Sequence, residues 1–270
     1  MPSVAKRALK FSAATIDRVW APPRGVVVLI YHRVGARSTL DVDLPVDEFS
    51  AQIESLASSR RAISLDDALT RLHGDPPMEH DPIVVTFDDG TADFADVAVP
   101  ILVRYGVPAT LYVATDFVDR GRDFPNQGKP LSWAALADVQ RTGLITVGSH
   151  THTHALLDRL SPPDIDAELD RADDLIEEHI DVRPSHFAYP KAVAGSSPAD
   201  AAVRSRYRSA ALAGTHANRY GATDVHRLAR SPIQRSDGMR YFEAKRDGGM
   251  RSEDALRVLA NRWRYRDATV

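Results

Sequence analysis

The chain has 270 residues, 43% of them hydrophobic and 26% charged, with a formal net charge of -3. That balance supports a folded protein with a core and gives no electrostatic case for a nucleic-acid partner. With no cysteines, disulfides and thiolate metal sites are excluded, so any metal must be held by imidazole and carboxylate.

In chain order, residues 1–24 come first and are basic, with Lys6, Arg7, Lys10 and Arg18 against Asp17. Ala5, Leu9, Ile16 and Trp20 could share one helical face. Such a helix would dock on the protein's own surface or touch an anionic membrane surface. The segment lacks an apolar core of the secretory type. The longest aliphatic and aromatic run, Val26 to Tyr31, is far below the roughly 20 residues that cross a bilayer. The expected location is cytoplasmic, with peripheral contact at the inner membrane face as an option.

From residue 25, strand-like and helix-like stretches alternate. Strands are expected at 25–32, 83–89, 109–115, 144–150, 186–190, 209–214 and 226–233. Several are unbroken Val, Ile and Leu runs, as in strands buried on both faces. Phe49, Ile53 and Leu56 keep a helical rhythm, as do Ile165, Leu169, Ala172, Ile176 and Ile180. Ser64, Ser132 and Ser161 stand where helix caps belong. Strand then helix, about seven times, predicts a parallel α/β sheet in one domain, closed or nearly closed into a barrel, with an open doubly wound sheet as the alternative. Residues 25–240 would form this domain and residues 241–270 a helical tail.

In a parallel barrel the active site lies at the C-terminal ends of the strands. Tyr31 and His32 end the first strand, Asp88 and Asp89 the second, and Tyr189 and Pro190 the fifth; His150, His152 and His154 follow the fourth. Two adjacent carboxylates after an apolar strand need a cation or hydrogen bonds nearby, unless they only cap the next helix. One could ligate a metal while the other handles a proton. His150 and His154 are four residues apart, so on a helical turn they would meet on one side. On an extended strand His152 would join them; otherwise it is a supporting group. A carboxylate with two histidines suits oxygen chemistry on iron or hydrolysis on zinc. The spare carboxylate favours hydrolysis, because it can take a proton from a metal-bound water.

"TFDDG" followed by "SHTHTH" resembles the first two motifs of the polysaccharide deacetylases, family-4 carbohydrate esterases with the NodB homology domain. The resemblance runs from about residue 25 to 235 and implies a distorted (β/α)7 barrel that removes the N-acetyl group from an acetamido sugar. It implies that Asp89, His150 and His154 hold one divalent metal, with zinc the first choice ahead of cobalt, nickel, manganese or iron. Asp88 would be the general base. "FAYP" is similar to the third motif, so Tyr189 and Pro190 would wall the substrate groove and the Lys191 N–H would hold the oxyanion. Two features depart from the family. Ala188 stands where an arginine usually orients the base; Arg230 could replace it, or be an ordinary core-edge residue. The usual late histidine is missing, and "LIYHRVG" resembles the branch, including the poly-N-acetylglucosamine deacetylases, in which the histidine strand comes first. His32 would then be the acid, which amide hydrolysis needs because an amide anion leaves poorly. The alternatives are a deacylase of another amide (formamido, lipid-linked or nucleotide-linked sugar, or a cyclic amide) and an inactive carbohydrate-binding protein, the latter favoured only by Ala188.

Overall fold

The computed structural model describes residue 10, residues 22–74 and residues 79–251. Apart from Lys10, residues 1–21 of the expected N-terminal helix and residues 252–270 of the expected tail lie outside the described residues. Seven parallel strands form one curled sheet in the order β8-β7-β6-β5-β4-β1-β9. They are β1 (Val27–Tyr31), β4 (Ile83–Phe87), β5 (Ala109–Val113), β6 (Ile145–Ser149), β7 (His186–Ala188), β8 (Ser209–Ala211) and β9 (Ser231–Pro232). Two short segments, β2 (Arg33–Val34) and β3 (Asp43–Leu44), pair separately after β1. The helices are α1 (Val46–Ser59), α2 (Leu65–His73), α3 (Val99–Tyr105), α4 (Thr115–Asp119), α5 (Trp133–Gln140), α6 (Pro162–Ile180), α7 (Ser197–Arg206) and α8 (Gly238–Arg246). This is a (β/α)7 barrel in a single domain. Among the described residues no helix is long and apolar enough to cross a membrane.

Strand alternation separates two cores. Val27, Leu29 and Tyr31 of β1, with Ile83, Val85 and Phe87 of β4, face outward onto Phe49, Ile53 and Leu56 of α1. Val26, Val28, Val84 and Tyr112 face the other way and pack with Leu65, Leu69 and Leu72 of α2. Gly148 sits on that inner face because any Cβ there would lie 2.6 Å from the Tyr112 ring and 2.8 Å from the His186 carbonyl oxygen. Ser64 and Ser132 cap α2 and α5 by accepting from the N–H groups of Asp67 and Ala135. Ser161 precedes α6 with Pro162 at its first position, but its side chain makes no capping bond.

The seventh strand departs from expectation. Residues 225–227 form a 3-10 turn, and only Ser231–Pro232 pair as a strand with β1. Between them the chain crosses the gap in the sheet. The Leu228 N–H donates to the Ala210 carbonyl, and the Leu228 carbonyl accepts from the Leu212 N–H. Three residues later Ser231 is in register with Leu29. Residues 228–233 therefore touch both edges and close the ring. The boundary expected at 240 also differs. α8 runs through it and buries Phe242 in the core. Lys10 is only 3% exposed, with Nζ 2.6 Å from Asp237 Oδ1 and 2.8 Å from Ser236 Oγ. This ammonium is held inside the protein, on a segment next to α8.

Candidate active site

Backbone bonds extend the sheet past its strand ends and fix the residues of interest. The Asp88 N–H donates to the Tyr31 carbonyl, the Ala114 N–H to Asp89, and the His150 N–H to Val113. Tyr31 pairs with Phe87, so His32 and Asp88 are the next residues on neighbouring strands. Simple alternation would turn Asp89 away from Asp88. Instead Asp89 adopts a left-handed φ of 75° and swings its carboxylate back. Both carboxylates then face one imidazole: His150 Nε2 is 3.9 Å from Asp88 Oδ2 and 3.8 Å from Asp89 Oδ1.

The two histidines meet, but not on a helical turn. Residues 150–154 are a loop with left-handed φ values of 64° at both Thr151 and His154. These bring the rings to 4.9 Å between centroids and His154 Nε2 to 3.6 Å from Asp89 Oδ1. Donor atoms of Asp89, His150 and His154 all lie within 4.8 Å of one another. Separations of 3.6 and 3.8 Å are too long for hydrogen bonds. They are near the roughly 3.3 Å expected between two ligands on one tetrahedral zinc. His150 Nδ1 is 2.7 Å from the Ala188 carbonyl oxygen, which can only accept; the proton is therefore on Nδ1 and the lone pair on Nε2 faces the cluster. Burial, the largest cause, lowers the His154 pKa to about 4, which keeps its lone pair free at neutral pH. The donor set fits a divalent ion.

His152 stands apart. Its Nδ1 is 2.9 Å from Thr115 Oγ1 and its Nε2 is 3.7 Å from Asp116 Oδ1, on α4. Its backbone N–H donates to Glu168 Oε2, as does that of Thr153, while Thr153 Oγ1 donates to Glu168 Oε1. Glu168 of α6 therefore grips the loop between the two histidines. Nothing in the sequence marks it, because its only signal is a distant contact.

Arg230 is fully buried and meets Asp88 with both ends of its fork, Nη1 to Oδ1 at 2.6 Å and Nη2 to Oδ2 at 2.9 Å. Nη1 also reaches Thr86 Oγ1, Nε donates to the Leu212 carbonyl, and the Tyr112 ring centroid is 5.1 Å from the guanidinium carbon. Burial alone would raise the Asp88 pKa, but the charge and hydrogen bonds of Arg230 lower it to about 2. His32 is half-buried beside this pair, with its Nδ1 enclosed and making no hydrogen bond. Lys191 follows Pro190 in a left-handed conformation, φ 52°, and its charge is felt at His154. Tyr189 differs from expectation. Its side chain is 1% exposed and packs among Phe187, Leu157 and Ala199, so it supports the site from below instead of presenting a face to a ligand. Pro190 is also buried.

The description "Polysaccharide deacetylase" belongs to the family model that matches residues 75–210. YxkH of Bacillus subtilis (strain 168), classed by name with the polysaccharide deacetylases, is 23% identical over 213 residues, covering 78% of this chain and 73% of that protein. A chitin deacetylase of Arthroderma benhamiae is 28% identical over 117 residues, 41% of this chain and 29% of the fungal protein. The structure of IcaB from Ammonifex degensii superposes with a TM-score of 0.74 at 24% identity, over 83% of this chain and 98% of that one. The Streptococcus pyogenes deacetylase PplD gives 0.70 at 21% identity, over 83% and 99%. Structural likeness at these identities speaks for a shared fold.

Proposed function

This chain belongs to the polysaccharide deacetylase family, and on that premise we propose how its own residues carry out metal-dependent N-deacetylation of an acetamido glycan. Asp89, His150 and His154 would hold one divalent ion, with zinc the best match to two imidazoles and a carboxylate at these spacings. Such an ion supplies Lewis acidity, polarising the acetyl carbonyl and making a water acidic enough to lose its proton near neutral pH. Asp88 takes that proton as the water attacks the carbonyl carbon. A carboxylate lowered to about 2 is a weak base, so it serves here only because the water is acidified. Arg230 fixes the Asp88 carboxylate plane while each oxygen keeps a second lone pair for the proton. The Lys191 N–H would hold the developing oxyanion, a contribution of roughly 3 kcal/mol for such donors. His32 gives its proton to the departing nitrogen. Acetate and a free amino sugar are the products.

The observation that carries this reading is the placement of both carboxylates around one deprotonated imidazole nitrogen, one braced by a buried arginine. The inactive carbohydrate-binding alternative rested on Ala188, and Arg230 supplies the guanidinium that position 188 lacks. The test is acetate release from N-acetylglucosamine oligomers by metal-reconstituted protein. Asp89→Ala should lose bound metal. Asp88→Asn should keep metal and lose at least about a hundredfold in kcat, within the range for general acid–base groups. Full activity in Asp88→Asn would sink the assignment.

A further inference from the structure

The segment that closes the barrel is itself held by one side chain. Ser231 and Pro232 pair with Leu29 and Ile30 of β1, while Leu228 bonds to Ala210 and Leu212 beside β8. Ala229 lies between these contacts, and both of its backbone groups turn to Asn218. The Ala229 N–H donates to Asn218 Oδ1 and the Ala229 carbonyl accepts from Nδ2, each at 2.9 Å. Nδ2 also donates to the Val26 carbonyl, just before β1, at 3.2 Å. The Asn218 backbone adds two bonds to Val26: its N–H donates to the carbonyl at 2.8 Å and its carbonyl accepts from the N–H at 2.9 Å. One amide thus stands in for a rung of the ladder and joins the closing segment to the first strand.

An asparagine is a costly choice at this place. Asn218 is 2% exposed, and its neighbours Val26 and Leu228 belong to the apolar core inside the barrel. Two carbonyls there need donors and one N–H needs an acceptor, and in so short a side chain only an amide supplies both. Gly25 makes room for it, since a Cβ there would lie 2.1 Å from the Asn218 carbonyl oxygen. The loop that carries Asn218 also grips the next residue, Arg230. The Leu212 carbonyl accepts from Arg230 Nε at 3.0 Å, and the Gly214 N–H donates to the Arg230 carbonyl at 2.9 Å. The guanidinium therefore reaches Asp88 from a backbone clamped before and after its own Cα.

We propose that Asn218 is a positioning residue for deacetylation: by fixing Ala229 it sets where Arg230 meets Asp88. The inference rests on the deacetylase reading, in which Arg230 aims the base. A two-pronged fork at 2.6 and 2.9 Å tolerates little displacement of its backbone. A catalytic group misplaced by about 1 Å can cost on the order of a hundredfold in rate.

Hydrogen exchange and kinetics on the whole chain test this, with N-acetylglucosamine oligomers as substrate. In Asn218→Ala, amide protection should fall in peptides spanning residues 226–233 and persist in those covering β5 and β6. The kcat should fall at least about tenfold while KM stays within about twofold. Because Asn218 acts through Arg230, placing Asn218→Ala on Arg230→Lys should cost less than about twofold more. A merely structural asparagine would leave the kcat of folded molecules unchanged, or lower it by the same factor in both backgrounds. Either result overturns the proposal, as does unchanged exchange at 226–233. Should Asn218→Ala not fold, Asn218→Ser, whose hydroxyl cannot serve both carbonyls, takes its place in the same measurements. If the wild type releases no acetate from any oligomer, the deacetylase reading fails by itself and exchange decides the rest. Lost protection at 226–233 then upholds Asn218 as the clamp on Arg230, and unchanged protection overturns that as well.

Discussion

Asp88 and Arg230 cannot be changed one at a time without leaving a buried charge alone. Both are nearly or fully enclosed, and the fork between them is bidentate. Arg230→Ala should cost about 3 kcal/mol or more of stability, the usual penalty for breaking such a pair. It should also lower kcat more than KM, because Asp88 loses its orientation. Arg230→Lys should recover part of the stability, seen in thermal melts, but little of the turnover, since an ammonium cannot hold a carboxylate plane. A second residue, Asp173, sits under β6 with Tyr207 donating to its Oδ1 at 2.8 Å. Burial, the largest cause, raises its pKa from 3.8 to about 7. A raised acid favours the folded state below its unfolded value and loses that advantage as pH rises through the folded one. Stability should thus fall between about pH 4 and pH 7, by about 4 kcal/mol at most. Asp173→Asn should flatten that dependence in denaturant titrations, and an unchanged slope would refute the assignment. At this scale the sequence was partly legible. "TFDDG" and "SHTHTH" point to the proposed donors because they are local in the chain. The partner of Asp88 was left open between two readings of Arg230, because 142 residues separate them and only barrel closure brings them together.

The loop that carries His150 and His154 is an element without regular structure, held by another element. Four-residue spacing suggested a helical turn, yet the chain uses two left-handed residues instead. Such backbone is costly for non-glycine residues and persists where surroundings enforce it. Glu168 is the enforcing group, with three hydrogen bonds into residues 152 and 153. Glu168→Ala should weaken metal binding about tenfold or more, the scale seen when groups supporting metal ligands are removed. Glu168→Gln, which keeps a carbonyl oxygen for the two N–H donors, should retain most of the affinity. Chelator competition measures both, and equal affinity in all three proteins would refute the role. The strands were legible because four of the seven are five residues long and three of these, Val27–Tyr31, Ile83–Phe87 and Ala109–Val113, are mostly apolar. Their helices were legible from rhythm. The seventh strand was not, because "HRLARSPI" mixes a turn, a crossing and a two-residue pairing, and no periodicity distinguishes them.

At the scale of the molecule, a small charged network ties Lys10, near the start of the chain, to the segments that carry Asp237 and Lys245. Asp237 accepts from Lys10 Nζ at 2.6 Å and from Lys245 Nζ at 3.0 Å, and all three are at most 3% exposed. Removing the shared anion takes the carboxylate away from two buried ammonium groups, so Asp237→Ala should cost about 3 kcal/mol or more. Lys10→Met should cost clearly less, because Lys245 still pairs with Asp237; equal losses in thermal melts would refute this ranking. The closing segment at residues 228–233 has a further consequence. In the proposed mechanism the donors for the metal come from the loops after β4 and β6, neither of which includes the closing segment. The guanidinium that aims the base arrives only with the stretch that seals the ring. An incompletely closed molecule would therefore bind its ion and still be inert, so metal content counts folded sites and overstates working ones. Active-site titration of a preparation should fall below its metal stoichiometry to the extent that rings remain unsealed.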